Sequence, residues 1–235
     1  MLLLAGIPAS AMAVTGGVVA GGALTPTAKT PPVKRHTAPV TSHSTSLAYK
    51  GPVYEKTATG QIVPFVSAQA SSEQKAVTGG SAAAVPVVAK PELLVPGHIA
   101  RLVNGLAAAP MSSPAAVQAI VWTGNQIIGL PYIFGGGHAS FASPGYDCSG
   151  TVSFALHGAS LLTVPEDSSE FMGWGSHGIG TWVTVFTNPG HAYMTVAGLR
   201  LDTSAADDPT AQQGPRWRPL RPANEGFTVR HPTSL

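Results

Sequence analysis

The stretch GYDCSGTVSFAL, residues 145–156, holds the single cysteine of a 235-residue chain. Asp147 is placed as a helix N-cap, Cys148 opens the helix, and Ser149-Gly150 are small enough to leave the sulfur approachable. A helix N-terminus favours negative charge and so favours a thiolate over a thiol. From there the backbone N–H of Cys148 can point at a developing oxyanion. One cysteine cannot form an internal disulfide, so three readings stand: a partner in intermolecular pairing, a reactive thiol, or a small buried hydrophobe.

A nucleophilic thiol needs a base, and the chain has 8 histidines. His36 and His43 fall in a Pro/Thr/Ser-rich region, His98 precedes the helical part, and His231 lies at the chain end. His157 shares a helix with Cys148, but a step of about 100° per residue turns it to the opposite face. His138 and His177 read as loop residues, whereas His191 opens a strand directly after Pro189-Gly190. A two-residue reversal at Ala197-Gly198 pairs Val196 with Leu199 and Met194 with Leu201, gathering apolar residues on one face. The other face then carries His191, Tyr193, Thr195, Arg200, Asp202 and Ser204, with Asp202 diagonal to His191 and within reach of its Nδ1. A thiol, an imidazole and an orienting carboxylate are the parts of a Cys–His–acid triad.

The elements that must position these groups follow from periodicity. SSPAAVQAIVWTGNQIIG reads as a helix with Ser112 or Ser113 as N-cap, Pro114 in its first turn and Gly129 as its stop; Gly124 is its weak point. LPYIFGGGHASFASPGY is a loop, and CSGTVSFALHGASLL is a second helix with Val152, Ala155, Leu156 and Ala159 on one stripe. Past residue 180 the period becomes two, in TWVTVFT, HAYMTVA and LRLDTS. Helices followed by an antiparallel meander argue an α+β domain, assigned to residues 112–235. Residues 92–111 read as a connecting segment with a short helix in LLVPGHIARLVNGLAAA. The tail PRWRPLRP, with Trp217 among Arg216, Arg218 and Arg221, reads as solvated, with contact to an anionic polymer as the alternative.

Upstream, residues 25–91 are rich in Ala, Thr, Ser, Pro and Val without lasting periodicity, the composition of a flexible linker. Short local strands are expected within it, around GPVYEKTATGQIVPF. Residues 1–24 carry no charged side chain, and an apolar run ending in Ala11-Met12-Ala13 has the character of a secretion signal or a membrane anchor. All lysines lie before residue 91, and the formal net charge is only +2 with 10% charged residues. With no basic stripe interleaved with aromatics, nucleic-acid binding is excluded. One cysteine and scattered histidines offer no zinc-ligand spacing, and GGGH lacks the Lys-Ser/Thr that completes a phosphate loop. No metal or cofactor is expected.

In LPYIFGGGH, YDCSGTVSFAL, VPEDSSEF and HAYMTVAGLRLDTS the chain resembles, over about residues 112–204, the NlpC-type cell-wall cysteine peptidases, a papain-like family. The resemblance implies Cys148 as nucleophile, His191 as general base and Asp202 as the residue orienting it. It places Tyr132 near the oxyanion and makes Asp147 and Ser149 substrate contacts. The implied reaction is hydrolysis of peptidoglycan stem peptides, often between γ-D-glutamate and diaminopimelate, which fits an exported chain, secreted or in the cell envelope; a monomer is expected. The alternatives are an amidase or acyltransferase on another substrate, and a wall-binding module without catalysis.

Overall fold

The computed structural model describes residues 49–66, 89–203, 213–220 and 224–235. The expected leader at 1–24 and most of the expected linker lie outside the described residues. Strands β1 (Tyr54–Lys56), β2 (Ile62–Pro64), β3 (Glu92–Val95), β4 (Arg101–Val103) and β5 (Leu106–Pro110) form one sheet in the order β2-β1-β3-β5-β4. β3 and β5 run parallel, and the other pairs are antiparallel.

This sheet corrects two expectations. Residues 92–111 form no helix: Asn104 and Gly105, at φ 51° and 83°, make a tight reversal that pairs Val103 with Leu106. An Asn-Gly pair tolerates two successive left-handed residues, and that conformation closes a two-residue hairpin. The Leu and Ala residues here alternate between faces: Leu94, Ala107 and Ala109 join the main core, and Leu93, Val95 and Ala108 the opposite face. Part of the expected linker also belongs to the fold. Its β1–β2 turn is held by Thr57 Oγ1, which accepts from Gln61 N–H, and Tyr49, Val53 and Phe65 cover the second face of the sheet. Among the described residues, then, residues 49–66 and the strands of residues 92–110 pack with the rest of the fold.

Helix α1 spans Ala115–Ile127 and α2 spans Cys148–Gly158. Pro114 occupies the N-cap of α1 without a side-chain cap, because Ser112 and Ser113 donate their hydroxyls to the Gly97 and Pro110 carbonyls instead. Gly124 is a seat and not a defect: a Cβ there would stand 2.9 Å from the Trp217 ring.

A second sheet follows, built from β6 (Ser176–His177), β7 (Val183–Asn188), β8 (His191–Val196), β9 (Leu199–Asp202), β10 (Arg216–Arg218) and β11 (Thr228–His231). Its order is β10-β9-β8-β7-β11-β6, antiparallel throughout. The β8–β9 reversal at Ala197-Gly198 has φ 47° and 92°, and it pairs Val196 with Leu199 and Met194 with Leu201, the register read from the sequence. α1 packs on β5 and α2, and α2 packs on β8 and β9. Val117, Ile120, Val121, Val152, Leu156, Val185, Met194 and Leu201 are fully buried where these layers meet. The fold is thus α+β, with a mixed sheet added ahead of the helices.

His231 and Trp217 are not loose ends. His231 lies in β11, its Nδ1 3.0 Å from the Gly178 carbonyl, and Trp217 is buried on β10. The indole Nε1–H of Trp217 donates to Asn125 Oδ1 at 2.8 Å, an atom that also accepts from Ala107 N–H at 2.9 Å. Asn125 Nδ2 donates to the Ala107 carbonyl at 2.8 Å, so one buried amide ties α1 to both sheets. Asn125→Leu strands all three partners without access to water. It is expected to cost about 3 kcal/mol in urea unfolding, and a loss below about 1 kcal/mol would rule out this linchpin role.

Candidate active site

The N-terminus of α2 is fixed by the Asp147 carboxylate. Its Oδ1 accepts from Gly150 N–H at 2.8 Å, the bond of an N-cap, and its Oδ2 accepts from Gly135 N–H at 3.0 Å. His138 Nε2 lies 3.0 Å from Asp147 Oδ1 and 3.1 Å from Ser149 Oγ. The glycine loop is thereby pinned to the helix that carries the cysteine. The fit leaves no room for a side chain at Gly150, where a Cβ would stand 2.0 Å from the Gly136 carbonyl oxygen. Asp147 and Ser149 are both buried, and both carboxylate oxygens of Asp147 are engaged within the protein.

Cys148 occupies the first turn of α2, with its sulfur 3.7 Å from Ser168 Oγ. Ser168 comes from the segment after α2, and its carbonyl accepts the hydroxyl of Thr187 on β7. His191 at the start of β8 hydrogen-bonds the thiol, and the Ala192 backbone bonds it too. Burial pushes the Cys148 thiol up, but the bonds from His191, Ala192 and Ser168 and the charge of the imidazolium outweigh it, so its pKa is lowered.

The second imidazole nitrogen, Nε2, lies 2.9 Å from Asp202 Oδ1. This differs from the sequence expectation of a bond through Nδ1: the ring is turned so that Nδ1 is the nitrogen left for the sulfur. Burial alone would lower the His191 pKa. The hydrogen bonds and negative charges of Asp202 and Cys148 overturn that effect and raise it to about 9. Asp202 is fully buried at the end of β9, where its Oδ1 also accepts from Thr203 N–H and its Oδ2 from Arg200 Nη1, each at 2.9 Å. Tyr132 is exposed, its hydroxyl pKa raised by partial burial and then by the charges of Cys148 and Asp147.

The residues singled out in the sequence therefore gather at one place: Cys148, His191 and Asp202 in a continuous hydrogen-bonded line, with Tyr132, Asp147 and Ser149 beside it. Sequence reasoning missed contacts that arrive from elsewhere. Ser168 touches the sulfur, and His138, expected only as a loop residue, braces Asp147. Arg200 was placed on this face by the sequence, but its bond to Asp202 was not foreseen. His157 is turned away, stacked on Phe141 with ring centroids 3.7 Å apart. Among the described residues, no three His, Cys, Asp or Glu side chains group as metal ligands. What the line can do is hold a thiolate–imidazolium pair and pass a proton between sulfur, imidazole and a third atom.

No family model and no curated protein matches the chain. Among solved structures, that of NlpC1 from Trichomonas vaginalis is similar at 16% identity and a TM-score of 0.38, covering 52% of this chain and 46% of that one. The chain thus spans just under half the length of that neighbour, and the geometry of the site, not the likeness, carries the functional reading.

Proposed function

We propose that this chain is a papain-like cysteine peptidase of the NlpC type that hydrolyses amide bonds in peptidoglycan stem peptides. The observation that carries the reading is the thiol–imidazole–carboxylate line, with the Cys148 pKa lowered and that of His191 raised. A buried cysteine kept only for packing has no need of either shift. The substrate class comes from the resemblance of residues 112–204, and the bond between γ-D-glutamate and diaminopimelate is the first to test.

The Cys148 thiolate attacks the amide carbon, and the electron pair of the carbonyl moves onto its oxygen. That oxyanion is met by the Cys148 N–H at the head of α2, with the Tyr132 hydroxyl beside it. The tetrahedral intermediate collapses to a thioester as His191 gives its proton to the departing amine nitrogen. Neutral His191 then takes a proton from water, the hydroxide adds to the thioester carbon, and Cys148 leaves as thiolate with the imidazolium restored. Asp202 holds the ring so that the same nitrogen serves both steps. We place this activity in the cell envelope, reached through residues 1–24, with the chain acting as a monomer.

The test is incubation of the purified full chain with isolated peptidoglycan, followed by mass spectrometry of the soluble products. New fragments carrying the carboxylate and amine ends of a cleaved stem-peptide amide are expected. Intact muropeptides after prolonged incubation would sink the substrate assignment.

A further inference from the structure

We propose that Arg200 is a positioning residue of this site, a fourth member of the line that aims the Asp202 carboxylate at His191 and balances its charge. The inference rests on the cysteine-peptidase reading above. Its basis is the environment of Asp202, whose side chain is 0% exposed. The torsion that turns a carboxylate about its last bond is broad and weakly held by local preference. Oδ1 must nevertheless stay 2.9 Å from His191 Nε2. Thr203 N–H binds that same oxygen, so it does not anchor the other one. Arg200 Nη1 does, at 2.9 Å from Oδ2.

Arg200 is suited to this by its place in the fold. It lies two residues before Asp202 on β9, and residues two apart on a strand share a face. Its guanidinium carbon stands 5.7 Å from the Tyr193 ring centroid, within the range of a cation–π contact. Tyr193 is wedged in turn between Phe186, stacked at 5.0 Å, and Phe227, edge-on at 5.2 Å. The cation is therefore clamped by a packed aromatic layer. Without Arg200 the buried Oδ2 loses its bond to the guanidinium, and a carboxylate left so under-satisfied takes up a proton or turns toward water, either of which weakens its bond to the imidazole. The other charged groups on this face are His191 on β8 and, across on β10, Arg216 in register with Asp202 and Arg218 in register with Arg200. Arg216 supplies a comparison: it brings the same charge to the same strand pair, and its Nε reaches the Gly214 carbonyl at 3.5 Å.

The experiment uses the purified full chain with Arg200→Met, Arg200→Gln and Arg216→Met variants. The rate of Cys148 alkylation by iodoacetamide is followed across the pH range, alongside kcat and KM on soluble stem-peptide fragments. In either Arg200 variant the acid limb of alkylation is expected to move toward the ordinary thiol range. Just above the wild-type limb the rate should drop about tenfold, the change in thiolate fraction that one pH unit gives. The kcat should fall with KM unchanged, and Arg216→Met should keep the wild-type profile. An unshifted limb in a folded Arg200 variant overturns the proposal, as does an equal shift in Arg216→Met. Failure of both Arg200 variants to fold, read by circular dichroism, also overturns it, since Arg200 would then serve the fold and not the site. Alkylation needs no substrate, so an inactive wild-type chain would reject the peptidase reading and leave this test standing.

Discussion

Cys148→Ala is expected to abolish release of stem-peptide fragments, a loss on the order of 10⁴-fold or more in kcat, with the fold retained. The size follows from what is removed. Alanine keeps the helix start, the N–H that faces the oxyanion, and the His191–Asp202 pair, but it leaves nothing to form the thioester. Water would then have to attack the amide directly, with the site offering only binding and oxyanion stabilisation. The loss in stability should be small. Cys148 is buried, but alanine removes only its sulfur, and Asp147, the true anchor of the helix start, is untouched. A purified Cys148→Ala chain that still releases fragments at the wild-type rate, measured by mass spectrometry over a time course, would end the thiol mechanism.

His191→Asn is expected to lower kcat by about 10²- to 10⁴-fold, the usual weight of a positioned acid–base group, and to change the pH behaviour as well. In the wild type the thiolate persists below the ordinary cysteine range because the imidazolium stands beside it. The imidazolium itself survives to about pH 9. Activity should therefore fall on the acid side as Cys148 takes up a proton, and on the alkaline side as His191 loses its own near pH 9. The asparagine variant should lose the alkaline limb, and its alkylation profile should rise only as pH approaches ordinary thiol values. Stability carries the same signature. A histidine raised from 6.5 to about 9 on folding gives a contribution fully present below pH 6.5 and lost as pH climbs through 9. The urea midpoint of the wild type should decline over that window and that of His191→Asn should decline less. Identical midpoint profiles would disprove the coupling between His191 and its partners.

The legibility of the site has a physical basis in short-range geometry. Asp147 as N-cap and Cys148 in the first turn are decided within one turn of helix, where the side-chain oxygen reaches the Gly150 N–H. The register of β8 on β9 is decided by the Ala197-Gly198 reversal, which sets the facing of His191, Arg200 and Asp202. The first sheet was less legible. Its β3–β5 pairing is parallel and joins residues separated by another strand, and Leu-Ala runs suit a helix and a buried strand alike. The Asn104-Gly105 reversal was the local signal in that stretch, and the apolar spacing around it obscured it.

Local chain geometry thus determined where Cys148, His191 and Asp202 face and the α+β order of the second half, because caps and tight turns act over a few residues. Tertiary structure alone decided which imidazole nitrogen faces Asp202, that Ser168 stands beside the sulfur, that His138 grips Asp147, and that Trp217 is core and not tail. Each of these depends on contacts between elements far apart in sequence, and those contacts form only when the two sheets and two helices close on a common core.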